Sequence, residues 1–163
     1  MRAVRVFGLL AVMLVLAGCA SKFRTYDGPE VTYLLAFKEQ RKLVLMHNDT
    51  ILKTYDFELG FAPTGDKTVR GDGKTPEGIY RIDRKNPNSA FHLSIGISYP
   101  NAEDRAEAEA LGQSPGGDIF IHGTPRKFRS TDDWTWGCLA VTNREMEDIY
   151  AMVNVGTPIA IYP

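Results

Sequence analysis

The sequence predicts one mainly β domain of α+β type, with about seven short strands and two short helices. Three observations carry this. Apolar and polar residues alternate over runs too short for helices, and clusters of Gly, Pro, Asn and Asp separate those runs. The third is size: 163 residues, 44% hydrophobic and 24% charged, suffice for one core and are too few for two full domains.

The chain begins with a short basic stretch, an apolar run over 6–17, and then Leu16-Ala17-Gly18-Cys19. That run is shorter than the roughly 20 residues a bilayer span needs, and small residues end it, so 1–18 reads as a secretion signal. Leu-Ala-Gly-Cys resembles the lipobox of bacterial lipoproteins, which makes Cys19 the expected lipidated N-terminus and places the chain in the cell envelope, facing the periplasm. Ala20 after the cysteine resembles the outer-membrane pattern. Without Arg2 and Arg5 the mature chain has 17 bases against 20 acids, so no nucleic-acid footprint is expected.

Residues 19–30 are polar and aperiodic, as a tether would be, and the domain is expected over 31–162. Strands are expected at 31–37, 42–46 and 51–58, the last two joined by the turn residues of 47–50. The stretch 60–78 holds five glycines and two prolines, which predicts a surface loop of the kind that borders sites. Asp66, Lys67 and Arg70 within it read as a solvated edge. Further strands are expected at 79–83, 91–98, 118–122 and 158–162. In the second of these, Leu93, Ile95 and Ile97 face the core, and His92, Ser94, Gly96 and Ser98 lie opposite. Residues 102–111 are rich in Ala and Glu and stop at Gly112, and Thr142-x-x-Glu145 is a capping box opening a helix to about 153.

Chemistry gathers at two positions. The chain has two cysteines, and a lipidated Cys19 leaves Cys138 a lone thiol. Cys138 precedes the predicted capped helix, whose positive end would lower its pKa, and Gly137 lets backbone approach closely. His122, one of three histidines, ends a predicted strand sixteen residues earlier, beside Gly123. A cysteine and a histidine together suffice for covalent acyl transfer. Backbone N–H groups of Gly137 and Cys138 are the candidate oxyanion donors. No metal site is expected, because His47, His92, His122 and Cys138 lack the close paired spacing of structural zinc, and no cofactor motif is present.

Ile121-His-Gly-Thr124 followed by Thr135-Trp-Gly-Cys138 resembles the catalytic block of the YkuD-type L,D-transpeptidases. The segments 65–67, 71–78, 94–101 and 155–158 are also similar to that family, so the likeness runs over essentially the whole mature domain. It implies a YkuD-like β-sandwich or barrel, a monomer, and reaction with peptidoglycan stem peptides. It implies Cys138 as nucleophile, His122 as general acid and base with the neighbouring Gly123 carbonyl steering its tautomer, and a substrate pocket drawing on Thr135 and Trp136; His92, on the polar face of its expected strand, either borders that pocket as a substrate-binding residue or is simply solvated. Departures are Trp136 where the family has histidine, and Ala140 where it has Asn or Arg. The thioester could pass to an amine, as in transpeptidation, or to water, as in carboxypeptidase or amide hydrolysis. A peptidoglycan-binding lipoprotein without turnover is the remaining alternative.

Overall fold

The computed structural model describes residues 21–163, so the signal segment and Cys19 lie outside the described residues. Eight strands form one continuous sheet: β1 (Tyr33–Phe37), β2 (Lys42–His47), β3 (Thr50–Asp56), β4 (Gly78–Asn86), β5 (Ser94–Ile97), β6 (Phe120–Gly123), β7 (Leu139–Val141) and β8 (Pro158–Tyr162), in the spatial order β3-β2-β1-β8-β4-β5-β6-β7. The sheet curls until its two edges meet. Just past β3, Glu58 exchanges backbone hydrogen bonds with Ala140 of β7 at 2.8 and 2.9 Å, and Gly60 bridges Thr135. The result is a nearly closed barrel, which removes the open edges that a sheet otherwise exposes.

The first part of the barrel follows directly from side-chain alternation. Leu34 and Ala36 of β1 and Ile159 and Ile161 of β8 point into one core, and those strands run parallel with Leu34 opposite Ile159. Leu43 and Leu45 of β2, Ile82 of β4, Ile95 of β5, and Ile121 and Leu139 join the same cluster. Strand β5 differs from its expected one-sided burial. All four of its residues are buried, and at Gly96 the Asp83 and Arg84 side chains of β4 lie over the polar side, where a Cβ would strike them.

Helix α1 (Ala102–Ala110) is opened by Asn101, whose side chain accepts from the Glu103 and Asp104 N–H groups while Asp104 returns a bond to Asn101. Helix α2 (Asn143–Met152) has the expected capping box of Thr142 and Glu145, and buries Met146, Ile149 and Met152. Each such side chain contributes about 1.5–3 kcal/mol on removal from water, which anchors α2 behind β5 and β6.

Two expectations change. The residues after Cys138 do not run straight into a helix: Leu139, Ala140 and Val141 pair with β6 as a short buried strand, parallel, with His122 opposite Ala140. The segment 21–30, expected as a tether, lies against the domain through Lys22, Arg24 and Phe23.

Candidate active site

His122 is the penultimate residue of β6 and is 3% exposed. Its Nδ1 lies 2.9 Å from the Gly123 carbonyl oxygen. A carbonyl only accepts, so Nδ1 carries the proton and Nε2 is left as the basic nitrogen. Burial pushes the imidazole below its ordinary pKa, against a smaller upward pull from the Gly123 bond. The walls that desolvate it are aromatic: Phe91 stacks at 4.5 Å between centroids and Trp134 lies at 5.5 Å. Gly123 has no space for a side chain, because a Cβ there would strike Asn143 Oδ1 and the Phe91 carbonyl.

Cys138 is held by a turn that its neighbours tie shut. The Thr135 hydroxyl donates to the Cys138 carbonyl at 2.8 Å and accepts the Gly137 N–H at 3.2 Å, while Thr75 donates to the Gly137 carbonyl at 2.8 Å. Gly137 sits at φ +114°, where a Cβ would collide with the Lys74 carbonyl, so glycine is required. The thiol donates to the Asp118 carbonyl at 3.6 Å. Desolvation pushes it up to about 11, only partly countered by a hydrogen bond from the Phe120 backbone. The expected helix-end lowering is absent because β7 separates the sulfur from α2, and the end-potential fades within a turn.

His122 and Cys138 line one cleft of about 290 Å³, together with Asn86, Ser89, Phe91, Ser94 and Phe120. Asp118 borders this cleft and also a neighbouring one of about 460 Å³, lined by Lys67, Arg70 and Trp136. Trp136 is 71% exposed and meets Phe61 edge-on at 5.1 Å, so it stands on the rim of the second cleft. A larger groove of about 750 Å³ between the 128–132 segment and the start of α2 contains neither His122 nor Cys138.

Several sequence expectations for the site shift accordingly. Thr135 is buried and supports the cysteine turn from behind, and Gly137 spends its N–H on Thr135. His92 has left the strand at φ +74° and pairs through Nε2 with Glu147 of α2 at 2.9 Å, away from the cleft. Lys67 is no solvated edge: it is 3% exposed and donates to Asp72 Oδ1 at 2.8 Å and the Val69 carbonyl at 3.0 Å. Phe91 and Trp134 belong to no motif in the sequence and join the site only through the fold.

The nearly closed barrel thus carries His122 and Cys138 on one cleft. The match to the YkuD L,D-transpeptidase catalytic domain extends over residues 32–161, and the chain belongs to that family. It is 32% identical over 144 residues to the Escherichia coli (strain K12) protein described as "Putative L,D-transpeptidase YafK", covering 80% of this chain and 53% of that protein. The helical cell shape determining protein Pgp2 of Campylobacter jejuni, as its K307A mutant, superposes with a TM-score of 0.64 at 27% identity, over 83% of this chain and 48% of that one. An L,D-transpeptidase of Mycobacterium smegmatis shares the fold with a TM-score of 0.55 at 14% identity, over 82% of this chain and 59% of that one. The chain thus spans about half the length of YafK.

Proposed function

We propose that this chain is a cysteine acyltransferase acting on peptidoglycan stem peptides, with Cys138 as nucleophile and His122 as general base and acid. The observation that carries the reading is that Cys138 and His122 share one cleft while the Gly123 carbonyl leaves His122 Nε2 free of its proton. Family membership supplies the substrate class. The likeness to a protein that determines helical cell shape supports a role in wall remodelling.

Burial acts oppositely on the two groups, raising the thiol and lowering the imidazole, so the resting pair is uncharged near neutrality. Attack and proton transfer are then coupled. Nε2 takes the thiol proton as sulfur bonds to the carbonyl carbon of the stem's diamino-acid residue. As the tetrahedral centre collapses, the imidazolium gives that proton to the departing D-alanine nitrogen, leaving a thioester. An acceptor nucleophile opens the thioester by the reverse sequence, with His122 again taking the proton. The Cys138 N–H donates to no carbonyl among the described residues, which favours it over Gly137 as the oxyanion donor. In the same reading Cys19 carries the lipid that holds the domain at the envelope membrane, facing the periplasm.

The test is release of D-alanine from a disaccharide-tetrapeptide by the purified chain. Cys138→Ala and His122→Gln should each abolish it; release by Cys138→Ala equal to wild type refutes the nucleophile assignment. The anchor is tested separately, since Cys19→Ala should shift the chain from the membrane to the soluble fraction of the envelope.

A further inference from the structure

The loop 87–92 forms the wall of the Cys138 cleft through Ser89, Ala90 and Phe91. Its attachment to the catalytic strand is direct. Phe91 stacks on His122, and the Phe91 carbonyl accepts the Gly123 N–H at 3.0 Å. Gly123 in turn fixes the His122 tautomer. Displacing this loop would therefore move both the imidazole and the water-excluding wall beside it.

The loop's outer side is held by residues from the other end of the sequence. Lys22 Nζ donates to the Pro87 carbonyl at 2.6 Å and to the His92 carbonyl at 3.0 Å, which clasps the loop at both of its ends. Arg24 reaches α2, donating to Glu147 Oε2 at 3.0 Å from Nε and 2.7 Å from Nη2, and to Asp148 at 2.6 Å. Glu147 uses its other oxygen for His92 Nε2. His92 is thus gripped through its carbonyl by Lys22 and through its ring by a carboxylate that Arg24 orients. Phe23, between the two cations, packs on Tyr150 of α2 at 6.1 Å.

We propose that the strap of residues 21–30 is a working part of the catalytic cleft, with Lys22 and Arg24 as positioning residues that hold the 87–92 loop, and through Phe91 the His122 imidazole, in place. The proposal rests on the reading of Cys138 and His122 as the reacting pair. Its chemistry needs no ligand. Two cations on a segment outside the barrel satisfy carbonyls and carboxylates that water would otherwise compete for, and they close the loop over the imidazole. The strap is also the stretch that joins the domain to Cys19, so the tether and the cleft wall are one mechanical unit.

Hydrogen exchange on the full chain tests this, comparing wild type with Lys22→Ala, Arg24→Ala, Lys22→Arg and the exposed control Lys53→Ala. The expected result is about fivefold faster exchange at the Phe91, Leu93 and Gly123 amides in the two strap variants, the size of one partly exposed charge-assisted contact. Exchange in β1 and β8 should not change, Lys22→Arg should restore protection, and Lys53→Ala should match wild type. D-alanine release should fall in step with the loop's loss of protection. Unchanged exchange at the loop, a uniform rise across the barrel, or a loosened loop with undiminished turnover would each overturn the proposal. Should wild type release no D-alanine, the functional reading fails while exchange still decides whether the strap holds the loop.

Discussion

Two irregular segments border Cys138 and His122, and they are held by different means. The 60–78 loop is tied by two buried lysines, Lys38 just past β1 and Lys67 of the loop itself. Lys38 donates to the Gly65 and Thr75 carbonyls and to Glu77, and Lys67 to Asp72, which also accepts the Thr68, Val69 and Lys74 N–H groups. The 87–92 loop has few such bonds of its own and is clasped from outside by the strap. Both lysines are 3% exposed, whereas the Arg24 and Glu147 side chains are 33% and 18% exposed. The Cys138 side of the site is therefore built like core, and the His122 side depends on a clasp that water can reach.

The contrast has a thermodynamic edge, and the largest effect is expected in the buried network. Lys67→Met leaves the Asp72 carboxylate without its cation, and loss of one partner of a buried pair costs about 3–5 kcal/mol. Urea denaturation should register this as a large drop in midpoint. Thr75→Val removes the hydroxyl that supports the Gly137 carbonyl and should cost about 1–3 kcal/mol, with loss of turnover as the cysteine turn relaxes. Arg24→Ala should cost under about 1 kcal/mol, as expected for a partly exposed ion pair. A stability loss there as large as for Lys67→Met would erase the distinction between the two segments.

Acidity sharpens the same comparison. The folded imidazole of His122 lies below its free value of about 6.5, so the unfolded chain binds the extra proton first as pH falls. Stability contributed by the neutral buried ring is fully present above that free value and declines as pH drops from it toward the lower folded value. The acid limb of kcat/KM should likewise lie below about 6.5. Phe91→Ala, which opens the ring to water, should move that limb upward. An acid limb at or above the free histidine value in wild type would mean that the aromatic wall does not desolvate the base.

How much of this was legible in the sequence follows from the range of the interactions. Strands β1, β4 and β8 announce themselves because inward and outward residues alternate locally. Strand β7 does not: three consecutive buried residues carry no period, and the Thr142 capping box beside them drew the segment into the helix. His122 and Cys138 could be picked out because their residue types and glycine neighbours are local facts. The roles of Phe91, His92 and Lys22 could not, since they depend on partners 31, 55 and 70 residues away: His122, Glu147 and the His92 carbonyl. The raised pKa of the Cys138 thiol has a related origin, because the groups that desolvate it and the strand that separates it from α2 are set by the folded sheet.

The central claim is that Cys138 becomes acylated by a stem peptide with His122 as its base. Mass spectrometry of the full chain after brief exposure to disaccharide-tetrapeptide tests it most directly. The account predicts an adduct on the Cys138 peptide equal to the substrate minus D-alanine, formed by wild type and absent from Cys138→Ala and His122→Gln. D-alanine release with no adduct at Cys138, or release that persists in Cys138→Ala, would contradict it.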